Sequence, residues 1–137
     1  MTAYDPDNIF AKILRREIPS HTVFEDETAL AFMDIIPVVD GHCLVIPKVA
    51  ARNIFDVEPE DLAALVKTAQ RVSKAACRAF QADGHTLRLH SETSGGQEVF
   101  HIHFHVLPMK TGIPLRPRVM GDHAILARHA AMIHEAL

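Results

Sequence analysis

The sequence predicts an α+β fold: an antiparallel five-stranded sheet with a short N-terminal helix, a long central helix and a C-terminal helix. Three observations carry that expectation. Residues 97–107 alternate polar and apolar side chains with the period of a strand. The segment from Pro59 to about Gln81 repeats its apolar residues with helical spacing. The remaining apolar runs, separated by proline and glycine signals, complete the order α-β-β-β-α-β-β-α. With 137 residues, 48% of them hydrophobic and 23% charged, we expect one domain over 1–137. Its core would span about 8–110, followed by a loop and helix at 111–137.

The elements follow in order. Asp7 or Asn8 can cap a helix through Ile9 to Arg16, with Ile9, Ile13 and Phe10 as inward positions, and Pro19 stops it. His21 to Glu25 and Ala29 to Ile35 read as strands joined at Asp26-Glu27. Pro37 to Gly41 is a turn by its proline and Asp-Gly pair, and His42 to Ile46 is a third, central strand. In the long helix Leu62, Leu65, Val66, Ala69, Val72, Ala76 and Phe80 form the inward stripe, while Lys67, Arg71, Lys74 and Arg78 form a solvated basic flank. Asp83-Gly84 turns the chain into strand 85–90, which would pair as a hairpin with the strand at 97–107. A proline-containing segment, Pro108 to Arg118, precedes a helix at about Asp122 to Ala136, with Ile125, Leu126, His129, Met132 and Ile133 along one side.

Composition narrows the function. A net charge of −3 does not suggest a general nucleic-acid-binding surface. No apolar run reaches membrane-spanning length, and the opening residues are polar and acidic, so we expect a cytoplasmic protein. Cys43 and Cys77 form no C-x-x-C pair and read as small buried hydrophobes.

The chemistry concentrates in Gln97 to Leu107. His101, His103 and His105 share one strand face, and Phe100, Ile102, Phe104 and Val106 share the other. A metal site is one reading, because neutral imidazole is a common ligand. Residues i and i+4 of a strand lie roughly 13 Å apart, however, so one ion cannot take all three without strain. The other reading is catalysis by imidazole, with one ring as nucleophile and its neighbours setting tautomer and donating protons. The preceding Ser94-Gly95-Gly96-Gln97 would let backbone approach an anionic substrate closely.

His101-Ile102-His103-Phe104-His105-Val106-Leu107 resembles the His-x-His-x-His motif of the histidine triad (HIT) family of nucleotide hydrolases and transferases. The resemblance extends to Asn8 to Ile13 with Glu17-Ile18-Pro19, to Ala31 to Ile35, to Gly41 through Lys48, and to Gly95 through Phe100. It implies His103 as the nucleophile on the α-phosphorus of a purine nucleotide conjugate, forming a nucleotidyl-histidine that water resolves to a nucleoside monophosphate. His101 and His105 would flank it and bind phosphate oxygens, and His42 would extend their hydrogen-bond chain. Asp34 would bind the ribose hydroxyls. Gln97, with backbone near Glu98 and Val99, would hold the phosphate. Ile9, Phe10, Phe32 and Ile35 would line the base pocket.

Departures from the family pattern are informative. Asn8 and Ala11 stand where some members have zinc-binding cysteines, and Ala50 replaces a histidine of that site, so we expect no structural zinc and no cofactor. His90 replaces a nucleotide-binding asparagine, and Glu98 replaces a serine. Leu107-Pro108 follows the triad where the Hint-like branch has glycines, which resembles bacterial HIT proteins and, in part, Fhit-like dinucleoside polyphosphate hydrolases. Arg116 and Arg118 are candidates for neutralising further phosphates. The expected protein is a hydrolase of phosphoramidates or dinucleoside polyphosphates, working as a homodimer that covers an edge strand. The alternatives are a non-catalytic nucleotide-binding regulator and a metal-binding protein.

Overall fold

Residues 2–137 are described by the structure, a computed structural model. The elements are α1 (Ile9–Leu14), β1 (Thr22–Glu25), β2 (Ala29–Met33), β3 (Cys43–Pro47), α2 (Pro59–Phe80), β4 (Gly84–Leu89), β5 (Phe104–Met109) and α3 (His123–Glu135), with one 3-10 turn at Thr93–Gly95. The strands form one sheet in the order β1-β2-β3-β5-β4, antiparallel at every pairing. The α+β class and the five strands are as expected.

Capping chemistry explains the helix ends. The Asn8 side chain accepts from the Ala11 amide at 2.9 Å and starts α1. Pro59 occupies the first turn of α2, where its missing N–H costs nothing, and Gln81 ends that helix in the left-handed conformation. Asp122 accepts from the amides of Ala124 and Ile125 and starts α3.

The sheet has two different faces. On one, Met33, Val45, Ile102, Phe104 and Val106 pack beneath Leu65 and Val72 of α2 and Leu126 and Ile133 of α3. On the other, Phe10 of α1 covers Leu30, Phe32, Leu44 and Ile46. The second face continues past Leu44 to His105, its direct partner on β5, and then to Arg88 on β4. Strand alternation therefore places the functional side chains opposite the main core.

Several expectations need correction. The ladder of β5 begins at Phe104, so His101 and His103 precede the strand proper. They are held by residues following β3: the Ile102 amide donates to the Ala51 carbonyl at 2.9 Å. The side-chain alternation survives, because Ile102 still points into the core while His101 and His103 do not. The same strand runs on through Pro108, which pairs only toward β4. Ile9, Val66 and Ile125, expected inward, are 48%, 42% and 42% exposed. Phe10 rather than Ile9 anchors α1, since six residues give that short helix only one buried stripe. The basic flank of α2 is not wholly solvated: Arg71 stacks over the Phe24 ring and Arg78 donates to the Ala136 carbonyl. Cys43 is fully buried and its thiol pKa is pushed up by burial, while Cys77 is half-buried. Among the described residues no helix is long and apolar enough to cross a membrane.

Candidate active site

His42, His101, His103 and His105 come together with Asp34 at the edge where β3 and β5 meet the N-terminal segment. The Asp40-Gly41 turn delivers His42. Gly41 has φ +85°, and a Cβ there would lie 2.7 Å from the Phe80 ring, so the turn needs glycine. Beyond it, the ladder of β3 with β5 sets Leu44 opposite His105.

The hydrogen bonds fix each ring's tautomer. The Val38 amide donates to His42 Nδ1 at 3.2 Å, so the ring hydrogen of neutral His42 sits on Nε2. That Nε2–H faces His105 Nδ1 at 3.0 Å and Asp34 Oδ2 at 3.3 Å. His105 Nδ1 is thereby an acceptor, and its hydrogen sits on Nε2. His103 Nδ1–H donates to the His101 main-chain carbonyl at 2.7 Å, which leaves the lone pair of His103 Nε2 unused. His101 Nε2–H donates to the Pro47 carbonyl at 2.9 Å, and its Nδ1 accepts from the Tyr4 hydroxyl at 2.7 Å.

Burial keeps these rings neutral. His103 and His42 are each pushed down to about 4 and His105 to about 3, chiefly by desolvation and then by neighbouring imidazoles or arginines. His101 is lowered by burial as well. The Asp34 carboxyl is raised by burial, although the Ile36 amide donates to its Oδ1 at 2.9 Å. One Asp34 oxygen thus serves the turn after β2, and the other faces the imidazoles.

The remaining expected residues fall into distinct settings. Both ring nitrogens of His101 bond to protein and the residue is 1% exposed, so it has no free nitrogen for a phosphate oxygen. In this arrangement its ring supports the site from beneath. Gln97 is equally occupied by protein partners. Its Oε1 accepts from Asn53 Nδ2 and the Glu92 amide, and its Nε2 donates to the carbonyls of Arg52 and Val99. Every hydrogen-bonding position of that amide is used in stapling the loop. Glu98 is exposed and takes a two-pronged ion pair from Arg118, while Arg116 pairs with Asp40. Of these two candidates for neutralising further phosphates, Arg116 fastens the 110–121 segment across residues 35–40, helped by the Gly121 amide donating to the Ile35 carbonyl at 2.7 Å, and Arg118 ties the same segment to Glu98. Phe10 meets His103 edge-on at 4.9 Å and Phe32 at 5.3 Å. Val99 packs against the same cluster, and Ile9 and Ile35 are exposed. His90 lies edge-on to His105 at 5.5 Å. Its Nδ1 is buried without a partner against Gly96, where a Cβ would approach to 2.4 Å.

Asp34, His42 and His105 offer three donor atoms 3.0–3.8 Å apart. That spacing suits a tetrahedral ion with bonds of about 2.0–2.1 Å, whose ligands would stand about 3.4 Å apart. The tautomers do not suit it. A metal-binding Nε2 needs the hydrogen on Nδ1 and an acceptor beyond it, and His42 Nδ1 faces a donor. The arrangement favours a shared hydrogen between imidazoles.

Four parts of the site had no signal in the sequence. Tyr4 lies in an irregular segment with no pattern to read. Arg52 and Asn53, both buried, hold Glu92, whose carboxyl they pull down to about 2. Arg88, on β4, stands directly opposite His105 of β5, and only the observed register reveals that.

Comparison with known proteins adds independent findings. The family model described as HIT domain matches residues 15–112. The purine nucleoside phosphoramidase of Escherichia coli K12 is 40% identical over 112 residues, covering 81% of this chain and 92% of its own. A crystal structure of a Hit-like protein involved in cell-cycle regulation from Bartonella henselae, with an unknown ligand, superposes with a TM-score of 0.94 at 46% identity, covering 98% of this chain and all of that one. A hypothetical histidine triad nucleotide-binding protein from Sulfolobus tokodaii gives a TM-score of 0.87 at 33% identity, covering 93% and 89% of the two chains.

Proposed function

The chain belongs to the HIT family, and from that premise we propose that it is a nucleotide hydrolase in which His103 attacks the α-phosphorus of a purine nucleotide conjugate. The observation that carries the proposal is the free Nε2 lone pair of a buried, neutral His103. A phosphate ester or amide repels an anionic nucleophile, whereas neutral imidazole approaches without that penalty and leaves again readily.

The reaction runs in two displacements. The Nε2 lone pair forms a P–N bond, the bond from phosphorus to the leaving amine or phosphate breaks, and the leaving group takes up a proton. Water then attacks the nucleotidyl-histidine and gives up a proton that replaces the one spent on the leaving group, the P–N bond breaks with its electrons returning to Nε2, and a nucleoside monophosphate is released. His105, with its hydrogen on Nε2, is the candidate donor to the phosphoryl or leaving group, and His42 holds it in that tautomer. Backbone amides near Gln97 to Val99 would steady the phosphate. Phe10, Phe32, Ile9 and Ile35 would flank the base, and Asp34 the ribose.

A phosphoramidate is the favoured substrate, supported by the relationship to the Escherichia coli phosphoramidase. A dinucleoside polyphosphate is the second reading, favoured by the exposed Arg88 beside His105, a cation placed for a second phosphate. Turnover of an adenosine 5′-phosphoramidate and a diadenosine polyphosphate, side by side in chelator, separates the two. Loss of neither substrate would reject hydrolysis and leave a nucleotide-binding role.

A further inference from the structure

Tyr4 touches the site through one atom. Its hydroxyl reaches His101 Nδ1 over 2.7 Å, and the two rings meet edge-on with centroids 5.7 Å apart. The contact joins positions ninety-seven residues apart in the chain, from a segment with no helix or strand of its own. Because His101 is almost fully buried, its Nδ1 has the phenol as its partner or none.

We propose that Tyr4 is a positioning residue for the nucleophile: by donating to His101 Nδ1 it anchors a ring whose Nε2–H the Pro47 carbonyl already sets, and so holds the main-chain carbonyl that orients His103. The links are all direct. With Nδ1 accepting, the hydrogen of His101 must be on Nε2, where Pro47 receives it. With the ring held at both nitrogens, residue 101 is fixed relative to β3. Its carbonyl then takes the His103 Nδ1–H, which selects the reactive Nε2 lone pair. Without the hydroxyl, a buried acceptor is left unsatisfied. The competing tautomer gives no relief, because its Nδ1–H would lack an acceptor and its bare Nε2 would face the Pro47 carbonyl. The ring therefore keeps its proton on Nε2 but is held at one nitrogen only, and the residue 101 carbonyl is free to shift under His103.

The proposal rests on His103 as nucleophile, and its test keeps the two apart. Tyr4→Phe retains the aromatic edge contact and removes only the hydroxyl. We expect kcat to fall by about tenfold, the size of one lost hydrogen bond at a buried group, with KM within about twofold and the melting temperature lowered but the fold retained. Nitrogen-15 spectra of the histidine rings give a second readout that does not depend on turnover. Both proteins should show His101 protonated on Nε2, and Tyr4→Phe should shift the His101 Nδ1 resonance and, through the moved carbonyl, the His103 Nδ1–H resonance. Unchanged ring spectra in the variant would overturn the proposal. So would altered spectra with kcat undiminished. If the wild type itself hydrolyses neither nucleotide, the hydrolase reading fails and the spectra still decide whether Tyr4 positions the His103 ring through His101.

Discussion

His103 donates its Nδ1–H to the main-chain carbonyl of His101 at 2.7 Å. A histidine two residues away is thus an acceptor through its backbone, not its ring, and alternation along the strand makes this possible. The nucleophile's tautomer is thus set by a neighbouring main-chain carbonyl, which the contacts of the His101 ring with Tyr4 and Pro47 hold in place.

Replacing His103 by alanine should abolish turnover while leaving nucleotide affinity within a few-fold, because the variant removes the attacking atom and not the pocket walls. Calorimetric titration with a nucleoside monophosphate, beside a hydrolysis assay, checks both halves. Residual hydrolysis near the wild-type rate would remove His103 from its role.

Acid should cost stability before it costs chemistry. His42 and His103 are held down at about 4 and His105 at about 3, so the unfolded chain takes up protons first as pH falls below about 6.5. Stability is therefore undiminished by these groups above that value. It drops by about 1.4 kcal/mol per pH unit for each ring between there and its folded value. Urea unfolding at pH 7.5 and 5.5 should show a lower midpoint at the acid value, with kcat at saturating substrate little altered. Equal midpoints would contradict the buried neutral rings.

Gln97→Leu should destabilise the protein more than its loop position suggests. It strands the Asn53 side chain, the Glu92 amide and the carbonyls of Arg52 and Val99. With about 1–3 kcal/mol for each buried group left unpaired, a loss of several kcal/mol is expected in denaturant melts. A cost below about 1 kcal/mol would mean that the network is not what holds residues 92–99.

Gly96→Ala should impair the site without touching a catalytic group. Gly96 has φ +94°, and the added Cβ would meet the His90 ring at 2.4 Å, pressing it toward His105. Backbone strain of about 1 kcal/mol or more is expected on top of the clash, together with reduced kcat. Wild-type kinetics and melting would show that His90 has room to move.

The uncovered edges of the sheet, β1 and β4, lead us to propose a homodimer that buries one of them. Sedimentation equilibrium at micromolar concentration should give twice the 15.2 kDa chain mass, and a monomer would remove this part of the account.

How much of this was legible in the sequence follows from what periodicity can encode. The histidine face, the buried central strand and the long helix are patterns within one segment, so they could be read directly. The start of β5 could not, because the ladder begins at Phe104 where β4 ends at Leu89, while β3 runs two residues further with β2 alone. The same limit applies to single residues. Ile9 and Phe10 are equally apolar neighbours, and only the packing of α1 on Leu44 and Ile46 decides that Phe10 goes in. Arg116 and Arg118 carry the charge that suits a phosphate, but Asp40 and Glu98 lie within reach and take them. Gln97 stands out by motif, and its hydrogen bonds join its own loop, at Glu92 and Val99, to the distant Arg52 and Asn53.

The central claim is a covalent bond between His103 and the nucleotide. Rapid quench of a single turnover, with an adenosine phosphoramidate labelled at the α-phosphorus, tests it most directly. The account predicts label bound to protein within the first turnover, stable to base, labile to acid, located on the peptide containing His103 and absent from His103→Ala. Rapid hydrolysis with no protein-bound label at any time, or label on a residue other than His103, would contradict it.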